Sequence, residues 1–135
     1  EGGLAEVKLS QLAQSQSQSA VVRQFARRMI SDHGKANTEL EAIASRKNLA
    51  LPRQLNAGQQ ATLQELQALD GPEFDAAYMA AMEEGHEKAV ALFESASAAG
   101  FQDADLQAFA AKTLPVVREH RQMIGNTMPA SRAAR

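Results

Sequence analysis

The chain has 135 residues, with 14 Lys and Arg against 16 Asp and Glu, and a formal net charge of −2 with His neutral. A chain of this length can bury a substantial core without disulfides or a structural metal, and its interspersed charges form no basic face of the kind a nucleic-acid partner needs. Cysteine is absent, which excludes disulfide frameworks, thiolate zinc sites and cysteine nucleophiles but fits either a reducing or an oxidising compartment. No apolar run approaches the roughly 20 residues that span a bilayer. The chain carries no signal peptide and begins at Glu1 rather than Met, as it would after removal of an N-terminal segment.

Abundant Ala, Leu, Gln, Glu and Lys and the lack of an alternating β pattern predict an all-α chain. Leu4, Val7 and Leu12 mark a first amphipathic helix from about Gly3 to Gln16, before a Ser/Gln-rich connection. Ser19 is the expected N-cap of a second helix over about Ala20 to Asn48, on which Val22, Phe25, Met29, His33, Ala36, Leu40 and Ile43 form one stripe. Pro52, Asn56 and Gly58 interrupt that pattern, and a short helix carrying Leu63, Leu66 and Leu69 ends at the Asp70-Gly71-Pro72 turn. A third long helix, from about Pro72 to Ala99, presents Phe74, Tyr78, Met82, Gly85, Ala89 and Phe93, with Asp75, Met79 and His86 at the edge of that face, and Gly100 is its expected stop. Gly85 beside His86 allows a close neighbour. The last helix starts near Asp103 or Asp105 and holds Leu106, Phe109, Thr113, Val116, Val117, His120, Met123 and Ile124 on its inner face, with a bend expected at Pro115. Residues 129–135 are expected to form a flexible tail beyond a single domain over 1–128. Together these elements predict a ferritin-like antiparallel four-helix bundle with a short additional crossover helix.

The three histidines, His33, His86 and His120, fall on the inward faces of three different predicted helices, each with a methionine one turn away: Met29, Met82 and Met123. Residues three or four apart share a helix face, so each pair can point into the bundle, where cofactor sites are built from facing helices. Imidazole and thioether both suit copper, which makes copper the first candidate, with zinc next through histidine and carboxylate. Glu83 and His86 form one Glu-x-x-His spacing, and Glu6 of the first helix is available as a further ligand. A di-iron centre needs a second such motif, and the residues three before His33 and His120 are Ile30 and Val117, which disfavours it. The competing interpretation of the same residues is structural: inward histidines are commonly neutral and hydrogen-bonded, here to Asp32, Asp75, Tyr78 or Glu119, and methionine is ordinary core filler.

No Walker, dinucleotide, nucleophile-elbow or His-Glu-x-x-His pattern occurs, so hydrolase and NTPase chemistry is disfavoured and no catalytic residue is assigned. Arg27-Arg28, Arg46-Lys47, Arg132 and Arg135 are expected on the solvated surface, as is most of the Glu83-Glu84 and Glu87-Lys88 run.

Several segments taken together resemble a known family: Gly2-Gly3-Leu4-Ala5-Glu6, Val22-x-x-Phe25-Ala26-x-x-Met29-x-x-Asp32-His33, Phe74-Asp75-x-x-Tyr78-Met79, His86-Glu87-Lys88, and Phe109-Ala110-x-Lys112-Thr113-Leu114-Pro115 through His120. They resemble the DUF4142 family, a domain of unknown function found in exported bacterial proteins with a ferritin-like fold. The resemblance implies a periplasmic or secreted bundle made with a signal peptide, and it matches Glu6, Asp32, His33, Asp75, Tyr78, His86 and His120 to the family's recurrent polar positions. It brings no established activity.

Two functions follow as expectations. In the first, an exported protein binds copper or zinc through His33, His86 and His120, with Met29, Met82, Met123 or Glu6 completing the set and Asp32, Asp75, Tyr78 or Glu83 orienting the ligands. In the second, a non-catalytic envelope or stress-related protein uses the same residues as a buried hydrogen-bond network and binds a protein or envelope partner through its outer surface. Imidazole nitrogens within about 4 Å of a common point favour the first, and separations beyond about 8 Å end it.

Overall fold

A computed structural model describes residues 2–99 and 103–127; for residues 2 and 96–99 only the backbone is described. Gly100, the expected stop of the third long helix, and the tail expected over 129–135 lie outside the described residues. The helices run α1 Gly2–Gln16, α2 Ala20–Arg46, α3 Ala57–Gln67, α4 Gly71–Ala99 and α5 Ala104–Thr127. Among the described residues there is no strand, and no helix is long and apolar enough to cross a membrane.

Local chemistry sets the ends. Ser19 takes an extended conformation and its Oγ accepts from Val22 N at 3.3 Å, satisfying one of the free amides at the start of α2. α2 stops at Arg46, two residues before the expected Asn48, because Asn48 turns left-handed at φ 57 while Leu49 N donates back to Ala44 O at 2.8 Å. Asn56 and Gln59 form a reciprocal capping box that starts α3. Gly71, at φ +58, turns the chain into α4 in a conformation other residues adopt at a cost. Asp103 Oδ1 accepts from Asp105 N and Leu106 N and so caps α5. That helix continues through Pro115, which has no N–H to offer the Ala111 carbonyl, and ends at Thr127.

α1 packs on α2 and α4, and α5 packs on α4 and α2, so the four long helices form a closed ring of neighbours. Cross-links show that α2 and α5 run antiparallel: Arg28 pairs with Glu119, Glu39 with Lys112, and Lys47 with Asp103. α1 and α4 do the same through Ser17 with Asp75, Ser10 with Tyr78, and Glu6 with His86. α2 and α4 are therefore parallel and diagonal, and the connection that carries α3 must return the chain along the bundle. α3 packs on α4 and α1, and the Gln16 side-chain amide donates to the carbonyls of Leu66, at 3.0 Å, and Leu69 at the end of α3.

Among the described residues, two apolar clusters fill the interior. The larger holds Leu9, Ala13, Val22, Phe25, Ala26, Met29, Leu66, Phe74, Tyr78, Met79, Met82 and Ile124, and the smaller holds Val90, Leu114 and Val117. Between them lies a buried polar layer of Glu6, His33, His86 and His120, one residue from each long helix.

Candidate metal centre

Helical register delivers the layer. His86 follows Met82 and precedes Val90 by four residues each, and His120 lies between Val117 and Ile124, so each ring emerges where one apolar cluster ends and the other begins. His86 and His120 are fully buried, His33 is 7% exposed and Glu6 4%. The ring centroids stand 5.3, 5.0 and 5.3 Å apart, a near-equilateral triangle.

One nitrogen from each ring lies within 4.8 Å of the other two. His33 Nε2 is 3.4 Å from His86 Nε2, which is 3.3 Å from His120 Nδ1. Donors bound at about 2.0–2.1 Å to a tetrahedral ion sit about 3.3–3.4 Å from one another, from bond length and angle alone. Glu6 approaches on the His33–His86 side, its Oε2 lying 2.5 Å from His33 Nε2 and 3.4 Å from His86 Nε2. The contact with His33 is close but lies off the ring N–H direction, so this buried oxygen accepts no hydrogen bond.

The outer nitrogens decide what the inner ones present. His86 Nδ1 is 2.8 Å from the Met82 carbonyl oxygen, which only accepts, so Nδ1 carries the proton and Nε2 is bare. His120 Nε2 donates in the same way to Asp32 Oδ2 at 2.7 Å, leaving Nδ1 bare. Burial lowers the basicity of both rings, against the opposing pull of Glu6 on His86 and of Asp32 on His120, so both favour the neutral form. Two lone pairs therefore face each other at 3.3 Å, an arrangement that either a proton or a metal cation between them would relieve. Asp32 is an acceptor because its bonds to His120 and Arg28 outweigh its desolvation and lower its pKa. Arg28 holds Asp32 at 2.5 Å and Glu119 at 3.0 Å, so a carboxylate–histidine pair is anchored to the surface by a shared guanidinium.

Other residues expected at the site lie elsewhere. Asp75 accepts from Ser17 Oγ at 2.6 Å, and Tyr78 OH bonds Ser10 Oγ at 2.6 Å, neither of them beside a ring nitrogen. Asp75 precedes His86 by 11 residues, about 16 Å of helix rise, so a shared face does not bring the two together. Met29 and Met82 are fully buried in the larger apolar cluster, with Met82 Sδ 4.0 Å from Ser10 Oγ, and Met123 is half-buried against the same cluster. Glu83 is half-buried on α4 and is not part of the three-nitrogen group. Glu119 bonds Arg28 rather than a histidine. Arg28, expected to be simply solvated, links Asp32 and Glu119, and its spacing of four residues from Asp32 is the signal that points to this pair.

These features define an all-α bundle with a buried polyhistidine–carboxylate centre. The family model described as "Domain of unknown function (DUF4142)" matches residues 1–127, and the chain belongs to that family. No match was found among curated proteins or among solved structures.

Proposed function

We propose that this protein is an exported helical bundle that binds one transition-metal ion, zinc(II) foremost, through His33 Nε2, His86 Nε2 and His120 Nδ1, with Glu6 supplying a carboxylate. The observation that carries this reading is the convergence of three ring nitrogens within 4.8 Å, two of them held bare by outer hydrogen bonds. Imidazole nitrogens at 3.3 and 3.4 Å, near tetrahedral spacing, with a carboxylate beside them suit zinc. The case for copper from thioether ligands is weaker, because the methionines are committed to the apolar cluster. With the donors buried, binding rather than turnover is the role that the site supports. A ligand set without thiolate withstands an oxidising compartment, which accords with the periplasmic or secreted location implied by the family resemblance. A single long crossover between parallel diagonal helices is also the connectivity of ferritin-like bundles, and it supports reading residues 1–128 as one such domain.

The Ser10–Tyr78 and Ser17–Asp75 bonds favour a second reading, in which the polar residues are a structural network in an envelope or stress-related protein with a macromolecular partner. Histidine proton–nitrogen NMR during titration of the metal-free protein with Zn(II), and separately with Cu(I) under anaerobic conditions, decides between them. The metal reading expects all three imidazoles to respond together and saturate at one equivalent. Independent titration, or no response, assigns them to the structural network.

A further inference from the structure

Gly85 sits in the interior of α4, one residue before His86, where glycine is less favourable than alanine. A Cβ at Gly85 would lie 3.2 Å from Glu6 Oε1, tighter than ordinary van der Waals contact, whereas a Cβ at Gly34, one residue after His33, or at Gly125 in α5 would meet nothing within 4 Å. The two oxygens of Glu6 thus have different surroundings. Oε1 lies where a side chain at position 85 would crowd it, while Oε2 is buried without a hydrogen bond beside His33 and His86. A buried carboxylate oxygen with no donor is costly unless a cation or proton reaches it.

We propose that Gly85 determines the metal preference of this centre by seating the Glu6 carboxylate as its one anionic donor, so that the site takes divalent zinc over monovalent copper. The proposal rests on the reading of the three histidines as ligands. A carboxylate is a hard anionic ligand that stabilises a dication more than a monocation, whereas three neutral imidazoles alone satisfy Cu(I). A methyl group at position 85 moves the carboxylate by a few tenths of an ångström and leaves the nitrogen triangle intact. Gly85 is a positioning residue, acting through Glu6.

The test compares wild type with Gly85→Ala, Gly34→Ala and Gly125→Ala. Zn(II) affinity is read by calorimetry, Cu(I) affinity by anaerobic competition with a chromophoric chelator, and the coordination sphere by the visible spectrum of the Co(II)-loaded protein. Gly85→Ala is expected to weaken Zn(II) about tenfold, change the Co(II) spectrum and leave Cu(I) affinity little altered. The other two substitutions, which make the same change in helix propensity, are expected to match wild type. In a Glu6→Ala background, adding Gly85→Ala should cost nothing further, since the contact through which it acts is gone. Wild-type zinc affinity and an unchanged Co(II) spectrum in Gly85→Ala overturn the proposal, as does an equal loss in Gly34→Ala. Should Gly85→Ala fail to fold, folding of the Glu6→Ala/Gly85→Ala double variant supports the contact, and its failure overturns it. Absence of metal binding by wild type defeats the histidine reading itself, and this proposal with it, before any substitution is compared.

Discussion

Asp32 illustrates how one surface-proximal side chain determines what a buried atom can do. By accepting from His120 Nε2 it leaves Nδ1 as the inner nitrogen, and Arg28 holds it in place. Replacing Asp32 with Ala frees the ring to change tautomer and orientation, and it is expected to weaken zinc binding about 10- to 100-fold by calorimetry; an unchanged affinity shows that the ring is fixed by packing alone. The neutral state of His86 and His120 has its own consequence. Burial lowers both folded-state pKa values below the unfolded value of about 6.5, so between those limits the unfolded chain binds more protons. Their contribution to stability is complete above about pH 6.5 and is lost as pH falls toward the lowered folded values. Asp32, with its pKa also lowered, adds a loss in the same direction at more acidic pH. The urea midpoint of the metal-free protein is expected to drop from pH 7.5 to pH 5.5, and an equal midpoint removes the neutral-histidine assignment.

Helices were the most legible elements in the sequence, because hydrophobic period and capping chemistry are local. Ser19 marks the start of α2 in both sequence and structure, and replacing it with Ala is expected to cost about 1 kcal/mol in chemical denaturation, with zinc affinity unchanged. Equal midpoints for the two proteins show that the Val22 amide finds another acceptor. Periodicity also brought all three histidines to inward faces, which is where they lie. It could not supply depth along the helix axis, which separates Asp75 and Tyr78 from His86, nor the direction in which a methionine sulfur points. Cross-helix partners were equally hidden: Lys47 reads as a surface cation, yet it reaches Asp103 at 2.5 Å and joins the end of α2 to the start of α5. Glu6 could be named from the sequence only as one available carboxylate on the first helix; its position beside His33 and His86 needed the fold.

On the scale of the whole molecule, the candidate ligands at positions 6, 33, 86 and 120 come from all four long helices, so the site is assembled by tertiary structure alone. An ion that binds only the folded chain stabilises it by mass action, about 2.7 kcal/mol at a hundredfold excess over Kd. For a chain of this size that corresponds to an upward shift of thermal midpoint of roughly 10 °C; no shift with Zn(II) contradicts binding at a folded centre. The closed layer between the two apolar clusters also separates affinity from exchange. With His86 and His120 fully covered, Glu6 4% and His33 7% exposed, an ion held at the proposed site would be screened from a competing chelator while the helices stay together. Release then waits for the bundle to open, so the stripping rate should level off as chelator concentration rises and should increase in variants that unfold faster. If the site holds an ion as proposed, its residence time is a clock set by the opening of the protein rather than by the strength of its metal bonds.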